Sequence, residues 1–260
     1  MEAGLAPKSA HPFAGQTAIV TGGGAGIGFA VARALARAGA NVALAGRTKE
    51  TLAHSAALIA EMGGDVLVVP ADVGVAQDCE RIVAATVERF GAADMLVNNA
   101  AYFALVPLLD ADAETAARFL NVNVVGPWHC ARAFAAHALA KGRGGRIVNV
   151  SSIAGARPAP GCGLYSASKA ALDMLTRSMA LEWGPKGLRV NAVAPGHVAT
   201  EGVLEDFQAG RLDEAKLVAA IPARRIADVD DIADAVLFLC SDAARHVMGQ
   251  VLTVDGGEGF

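Results

Sequence analysis

The sequence predicts a doubly wound α/β fold, in which helices cover both faces of a parallel sheet, and three observations predict it. Seven short runs rich in β-branched residues are mostly apolar on both faces, as buried parallel strands are. Ala-rich helical stretches separate nearly all of these runs. No internal repeat or polar linker divides the 260 residues, so we expect a flexible arm over residues 1–13 and one domain over residues 14–260.

The predicted elements alternate along the chain. The strands are Thr17–Thr21, Asn41–Ala45, Val66–Pro70, Asp94–Asn98, Arg146–Ser151, Leu188–Ala194 and Val251–Val254. The helices are Ile27–Ala38, Lys49–Met62, Ala76–Phe90, Ala113–Leu139, Tyr165–Trp183 and Val229–Cys240. Residues 197–225 mix helical and charged residues, and we expect them to form a lid over the strand ends.

Composition narrows the classes of partner. The 22 basic and 26 acidic side chains give a net charge of −4, which offers no attraction to nucleic acid or to an anionic membrane. No apolar run reaches the roughly 18 to 20 residues that a membrane span needs. The wide spacing of the cysteines suggests neither a zinc site nor a disulfide framework. We therefore expect a cytoplasmic protein that holds no metal and acts on small molecules.

A glycine-rich loop follows the first predicted strand directly. The stretch from Thr21 to Gly28 has the spacing T-G-x-x-x-G-x-G and leads into a helix. Glycines let the backbone approach a pyrophosphate, while free N–H groups and the positive end of the helix dipole attract its charge. The alternative is an ordinary tight turn. We expect the loop to bind a dinucleotide through Gly22, Gly24, Gly26, Ile27 and Gly28.

Residues after the second and third strands indicate the kind of nucleotide. A carboxylate for the ribose hydroxyls of NAD is expected after the second strand, but Gly46 and Arg47 stand there. A guanidinium can pair with a 2′-phosphate, so we expect NADP(H); if Arg47 is only a solvated residue, NAD(H) is the alternative. Asp72, beside the Val73 backbone, could bind the adenine amino group or could cap the next helix.

Tyr165 and Lys169 lie four residues apart in a predicted helix, and therefore on one face. A nearby ammonium together with a positive nicotinamide ring would favour the phenolate and lower the pKa of the tyrosine. Ser152 follows a strand that ends at the same sheet edge, where its hydroxyl could hold a carbonyl oxygen as charge develops. These three residues predict proton transfer to or from a substrate oxygen.

Further motifs accompany these residues in one order along the chain. They are Asn98-Asn99-Ala100-Ala101, Asn123, Pro195-Gly196 and Asp255-Gly256-Gly257. Together the motifs resemble the short-chain dehydrogenase/reductase family, in its single-domain subclass, and are similar to 3-oxoacyl-acyl-carrier-protein reductase-like enzymes. The resemblance covers the chain from Phe13 onward. It implies a three-layer Rossmann fold with a seven-stranded parallel sheet, and reversible hydride transfer between a nicotinamide cofactor and a ketone or secondary alcohol.

The resemblance also implies roles for individual residues. Tyr165 would be the general acid/base, Lys169 would bind the nicotinamide ribose and Ser152 the substrate oxygen. Asn123 would hold a relay water, although it could instead bond a neighbouring strand. The cofactor would further contact Asn99, Ala100, Pro195, Gly196, Val198 and Thr200. A homotetramer, paired through the long helices Ala113–Leu139 and Tyr165–Trp183, is implied as well.

The expected substrate pocket is mostly apolar, which favours a hydrophobic or acyl-like ketone over a free sugar. Nothing nearby in the sequence orients His197 as a second base, so we expect it to be a pocket wall or loop surface. Two other functions fit the same fold: a non-redox elimination or dehalogenation, and nucleotide sensing without catalysis. The expected lining consists of Ile153, Ala154, Pro160, Cys162, Phe103, Leu105, His197 and the segment from Thr200 to Ala220.

Overall fold

The computed structural model describes residues 11–259, which form a layered α/β domain. Its seven strands are β1 Thr17–Thr21, β2 Asn41–Gly46, β3 Val66–Pro70, β4 Met95–Asn98, β5 Gly145–Val150, β6 Leu188–Pro195 and β7 Val251–Val254. The α-helices of this range are α1 Gly26–Arg37, α2 Lys49–Glu61, α3 Ala76–Phe90, α4 Ala113–Leu120, α5 Gly126–Ala140, α6 Gly163–Trp183, α7 Glu201–Gln208, α8 Glu214–Ala220 and α9 Val229–Cys240.

All seven strands run parallel in the order β3-β2-β1-β4-β5-β6-β7. The direction of winding reverses between β1 and β4, so the loops after these two strands diverge to opposite faces. In open parallel sheets such a reversal leaves a crevice at the carboxyl ends of the strands, where ligands bind. The predicted fold class is confirmed.

The core lies in two layers, one on each face of the sheet. Successive residues of β1 show the division: Val20 packs with Leu35 of α1 and Val236 of α9, whereas Ile19 packs with the layer of α3 and α5. Phe134 of α5 is fully buried in that second layer. Each such side chain stabilises the fold by about 1.5–3 kcal/mol through the apolar surface it removes from water.

The predicted helix Ala113–Leu139 is broken into α4 and α5 by one π-helical turn, Asn121–Val125. The physical reason lies in Pro127, which has no N–H to donate to the carbonyl of Asn123 four residues earlier. Wider i to i+5 bonding accommodates this gap, as the bond from the Gly126 N–H to the Asn121 carbonyl shows. The backbone hydrogen bonding around Asn123 therefore differs from that of a regular α-helix.

The expected flexible arm, residues 1–13, is too long at its C-terminal end. Residues 1–10 lie outside the described residues, but Phe13 is buried in the core and its N–H donates to the Ala38 carbonyl at 3.0 Å. An aromatic ring this well covered belongs to the packed domain. The sequence did not indicate this because an isolated phenylalanine before the first strand has no periodic partner.

Two further properties of residues 11–259 bear on the class of protein. Within this range, no helix is both long enough and apolar enough to cross a membrane. In the same range, no three His, Cys, Asp or Glu side chains converge as metal ligands would.

The contact between α1 and the loop after β1 predicts a large effect of one methyl group. A Cβ at Gly28 would lie 2.1 Å from the Gly22 carbonyl oxygen, whereas one at Gly202, in α7, would meet no atom within 4 Å. We expect Gly28→Ala to lower the free energy of unfolding by about 3 kcal/mol or more, because backbone must move. Gly202→Ala, the control, should be neutral or stabilising by up to about 1 kcal/mol. Urea unfolding measures both, and equal stabilities would contradict the packing described.

Candidate active site

A cavity of about 570 Å³ lies at the carboxyl edge of the sheet, between the loops after β1, β2 and β4. The N-terminus of α1 faces it, and no side chain caps that helix end or places a carboxylate in its first turn. Uncapped N–H groups at a helix start attract phosphate. The cavity lining includes these predicted cofactor-binding residues: Gly22, Gly24, Ile27, Arg47, Asp72, Val73, Asn99, Ala100 and Thr200.

Two side chains hold the glycine loop against the loop after β4. The Asn99 side-chain amide donates to the carbonyls of Thr21 and Gly22 at 3.0 and 3.2 Å. The Thr21 hydroxyl oxygen accepts from the N–H groups of Asn99 and Ala100 at 3.0 and 3.1 Å. Asn99 therefore shapes the loop in addition to lining the cavity. Gly22 has a φ of +65° and its missing Cβ admits Asn99, so glycine is required at this position.

Thr200 closes the cavity from the opposite side. Its methyl group lies 3.4 Å from where a Gly26 Cβ would be, so the two residues are in contact across the loop. Thr200 is also the residue before α7, yet its side chain makes no capping bond to that helix. The Thr200 side chain therefore contacts the glycine loop and is not committed to the helix.

The residues after β2 and β3 reach the far end of this cavity. Arg47 is exposed there, and its guanidinium makes no ion pair or hydrogen bond within residues 11–259. Asp72 does not cap α3, which begins after Val75; its Oδ1 instead accepts from the Gly74 N–H at 2.8 Å. The capping alternative for Asp72 is therefore wrong, because the helix begins further along the chain. The cavity is lined by glycines of the loop after β1 and by the basic Arg47 after β2, and this combination fits the phosphates of a dinucleotide.

A second cavity of about 550 Å³ contains the predicted catalytic groups Ser152, Tyr165 and Lys169. Ser152 follows β5, while Tyr165 and Lys169 lie one turn apart on α6, which packs beside that strand end. The two cavities share Ile27, Asn99 and Thr200, so they form one continuous cleft. Pro195, Gly196 and Val198 line the second cavity as well.

The Tyr165 phenol lies in a largely apolar environment. Phe103 packs edge-on against its ring, with the ring centroids 5.0 Å apart. Burial raises the pKa of Tyr165, and the hydrogen bond from Ser152 only partly opposes this. The protein's own residues do not lower this pKa, because the cost of removing the phenolate from water exceeds the stabilisation that its neighbours provide. The expected lowering by lysine and a bound nicotinamide together stays a prediction.

Lys169 is buried directly beneath the phenol. Its Nζ lies 5.6 Å from the centre of the Tyr165 ring and donates to the Val150 carbonyl at 2.8 Å. Burial lowers the pKa of Lys169 to about 8, although the negative charge of Asp173, one turn further along α6, acts in the opposite direction. The ammonium is thus held in one place by backbone and is poised to exchange its proton near neutral pH.

Asn123 is fully buried in the π-helical turn and does not line either cavity. Its side-chain nitrogen donates to the Tyr102 carbonyl and the Ser168 hydroxyl, and its oxygen accepts from the Tyr102 N–H. Both amide hydrogens are therefore used by protein groups. The side chain fixes the loop that leads to Phe103, and its partners are loop and helix residues instead of a strand.

A hydrogen-bonded pair that the sequence did not reveal stands at the other side of the second cavity. The Nδ1 atom of His197 lies 2.7 Å from Oε1 of Glu258, and Glu258 Oε2 accepts from the His197 backbone N–H at 3.0 Å. The expectation that nothing orients His197 is wrong. Glu258 is 61 residues away along the chain, and only the pairing of β6 with β7 brings the two together.

The remaining lining of the second cavity agrees only in part with prediction. Ile153, Ala154, Cys162 and Phe103 line it, and burial raises the pKa of the Cys162 thiol, as suits a wall residue better than a nucleophile. Pro160 and Leu105 do not line it. In the loop after Ile153, the residues that line the cavity are Arg157, Pro158 and Ala159, which precede Pro160. Val203 and Ala220, from the segment expected to wall the pocket, line it as well. The lining residues not predicted are Ala101, Val150, Ser151, Arg157, Pro158, Ala159 and Glu258.

Comparison with known proteins agrees with this architecture. Residues 22–258 match the family model described as enoyl-(acyl carrier protein) reductase. The chain belongs to the short-chain dehydrogenase/reductase family. The relatives that it matches are named as dehydrogenases and oxidoreductases of alcohol and carbonyl groups, and the predicted enzyme class is confirmed.

Individual relatives in this short-chain dehydrogenase/reductase family differ in their substrates. L-rhamnose 1-dehydrogenase (NAD(P)(+)) of Azotobacter vinelandii is 38% identical over 247 residues, which are 93% of this chain and 96% of that protein. Sorbitol dehydrogenase of Cereibacter sphaeroides is 38% identical over 251 residues, 94% of this chain and 97% of that protein. A solved 7α-hydroxysteroid dehydrogenase, complexed with NADH and 7-oxo glycochenodeoxycholic acid, superposes with a TM-score of 0.91 at 33% identity, covering 97% of this chain and 98% of that one.

The burial of Lys169 predicts a pH-dependent contribution to stability. Its pKa is about 8 in the folded protein and 10.5 when exposed, so the unfolded chain binds more protons between these values. The free energy of unfolding should therefore rise with pH across this window, by up to about 3 kcal/mol, relative to a Lys169→Met variant. Burial raises the pKa of Tyr165, so the difference is read chiefly below about pH 9.5, where this phenol stays largely protonated in both proteins.

Urea unfolding between pH 8 and 10.5 measures this difference. Lys141→Met, which removes an exposed ammonium at the end of α5, is the control and should run parallel to the parent protein. Parallel curves for Lys169→Met would contradict the buried ammonium.

Proposed function

We propose that this protein is an NADP(H)-dependent oxidoreductase that transfers hydride reversibly between the nicotinamide and a ketone or secondary alcohol. The observation that carries the proposal is the cleft itself, in which Ser152, Tyr165 and Lys169 stand at one end and a glycine cradle at the other. When bound there, the nicotinamide would accept hydride from the alcohol carbon or return it to the carbonyl carbon.

The protein's own residues handle the oxygen and the proton. Ser152 donates a hydrogen bond to the substrate oxygen and holds it as charge develops on it. In the oxidising direction, the Tyr165 phenolate takes the hydroxyl proton while the carbon–hydrogen bond breaks; in the reducing direction, the phenol returns that proton. The largely apolar surroundings of the Tyr165 phenol make these hydrogen bonds stronger than they would be in solvent.

Lys169 and Asn123 connect the phenol with solvent. The ammonium favours the phenolate by its charge and can exchange a proton near pH 8. Because Pro127 cannot donate to the Asn123 carbonyl, we assign the relay water to that backbone oxygen and not to the side chain, whose hydrogen bonds are taken. In this proposal the π-helical turn, which Pro127 causes, also provides the carbonyl that binds the relay water.

Replacement of Tyr165 tests the proton-transfer step. Tyr165→Phe keeps the ring that packs on Phe103 but removes the hydroxyl, so we expect kcat to fall roughly 10²- to 10⁴-fold while the Kd for dinucleotide changes little. Reduced-nicotinamide absorbance measures turnover, and fluorescence titration measures binding. Tyr102→Phe, which removes the hydroxyl of the other tyrosine, is the control. Retention of most of the rate by Tyr165→Phe excludes the proposed role.

The preference for NADP(H) over NAD(H) rests on Arg47. Its guanidinium stands at the ribose end of the cleft without an internal partner, and Gly46 and Thr48 beside it carry no negative charge to repel a 2′-phosphate. A charge-assisted, bidentate contact of this kind favours the phosphorylated cofactor by roughly 1.5–3 kcal/mol.

Charge reversal at this position tests the cofactor assignment. Arg47→Asp should lower the kcat/KM ratio of NADP to NAD by roughly 10- to 100-fold, because the carboxylate repels the 2′-phosphate and can bind the ribose hydroxyls. Arg245→Asp, an exposed site outside both cavities, makes the same change in net charge and should leave the ratio as it is. An unchanged ratio in Arg47→Asp would refute the assignment to NADP.

We propose a homotetramer as the working assembly. Large apolar side chains are exposed on α5 and α6, among them Trp128, Met174 and Leu181, the last 80% exposed. A surface of this kind is costly in water and is typical of a contact between subunits. These are the two helices that the family resemblance pairs across an interface.

A further inference from the structure

The C-terminal turn after β7 is built to hold one carboxylate in place. Asp255 accepts hydrogen bonds from the N–H groups of Gly257 and Gly259 at 2.9 and 2.7 Å. Gly256 and Gly257 adopt φ values of +63° and +89°, which glycine allows at little cost. The chain thereby folds back, and Glu258 faces the residues that follow β6.

Three contacts fix Glu258 once it is there. Its two carboxylate oxygens bind the ring and the backbone of His197, and its own carbonyl accepts from Arg157 Nη1. A Cβ at Gly196 would lie 2.6 Å from Oε2, so only glycine leaves room for the carboxylate. The side chain of Glu258 is 13% exposed, compared with 39% for His197. The carboxylate is thus the buried, oriented partner, and the imidazole is the part that reaches the cavity.

This arrangement fixes which ring nitrogen carries the proton. Burial alone would raise the pKa of Glu258, but the hydrogen bonds from His197 and the charge of Arg157 lower it, so the carboxylate is ionised and can only accept. Nδ1 must therefore be the protonated nitrogen. Within residues 11–259 the Nε2 atom has no hydrogen-bond partner, and in the neutral ring it is a hydrogen-bond acceptor.

We propose that His197, held by Glu258, binds a second hydroxyl group of the substrate through Nε2, so that the preferred substrates are diols and hydroxyketones. This inference rests on the proposed function, since it concerns the substrate of the same site. The reacting oxygen goes to Ser152 and Tyr165, and the second hydroxyl donates to Nε2 across the cavity. The pocket is therefore not uniformly apolar, and a simple hydrophobic ketone leaves the imidazole without a partner.

The rest of the lining sets the form of such a substrate. The lining combines apolar residues, among them Ile153 and Ala154 directly after Ser152, with a polar group formed by His197, Glu258 and Arg157, which hydrogen bonds join to one another. A compact carbon skeleton with hydroxyls on one side satisfies both. Loss of a hydrogen bond that the site is built to make discriminates between substrates, because a bound substrate that lacks the hydroxyl covers the imidazole and leaves it unpaired.

Alcohols that share one skeleton test the inference. Cyclohexanol is compared with the cis and trans isomers of cyclohexane-1,2-diol and cyclohexane-1,3-diol, with NADP as oxidant and its reduction as readout. We expect at least one diol to exceed cyclohexanol in kcat/KM, and His197→Phe to remove that advantage, a loss of roughly 10- to 100-fold. The kcat/KM for cyclohexanol should fall by much less than that for the favoured diol, because that alcohol has no group for Nε2.

Two kinds of variant separate this role from a structural one. His246→Phe, at an exposed histidine outside the cavity, should leave kcat/KM unchanged for the diols and for cyclohexanol. Glu258→Ala should reduce diol selectivity, while Glu258→Gln, which keeps an acceptor for Nδ1–H, should restore part of it. A fall of equal size for diols and cyclohexanol in His197→Phe would mean a structural role and would overturn the proposal.

A binding measurement decides the matter independently of turnover. Histidine-labelled protein, with the His197 signals assigned from the His197→Phe spectrum, should show Nδ1–H imidazole by nitrogen NMR, and the Nε2 signal should shift when the diols are titrated in. If the protein reduces no dinucleotide with any of these alcohols, the proposed function is contradicted. The NMR titration with diols does not depend on turnover, so it still tests the His197–Glu258 pair. An Nε2–H ring, or no shift with diols, refutes the inference.

Discussion

The hydrogen bond from Lys169 to the Val150 carbonyl is the contact on which the catalytic arrangement depends. It ties the middle of α6 to the end of β5, and so places Tyr165 over the point where Ser152 leaves the sheet. A buried ammonium is tolerated only where it is hydrogen-bonded and neighbours compensate its charge, and the backbone carbonyl meets that need. Burial also raises the pKa of the phenol, so the protein alone favours the protonated tyrosine. In the function we propose, positive charge close to the phenol ring favours the phenolate, and proton transfer is thereby coupled to occupation of the cleft.

Strands and most helices could be predicted because buried parallel strands and amphipathic helices leave strong local patterns. β1, β3, β7, α3 and α9 begin and end where the periodicity of the sequence places them. The π-helical turn was missed, although Gly126-Pro127 is a local signal for it, since a proline N–H is lost one turn after Asn123. The burial of Phe13 had no such signal, because it depends on a contact with the end of α1.

The site was predictable to the extent that its residues follow strand ends. Gly22, Asn99, Ser152 and Pro195 each come at or just after the carboxyl end of a strand, and the parallel sheet gathers them at one edge. Glu258 was missed because it reaches His197 only through the β6–β7 pairing and a turn made by Asp255. Pairs of this kind depend on topology, and no spacing in the sequence reveals them. They are also where relatives with the same catalytic groups can differ in substrate.

Isotope labelling tests the proposed hydride transfer from the alcohol carbon to the dinucleotide most directly. The protein is incubated with oxidised dinucleotide and cyclohexanol that carries deuterium on the carbinol carbon, and the reduced dinucleotide is analysed by mass spectrometry. We expect one deuterium to appear in the reduced dinucleotide of the parent protein, and the label to be transferred far more slowly by Tyr165→Phe. Reduced dinucleotide without deuterium, or transfer at the parental rate by Tyr165→Phe, would contradict this expectation.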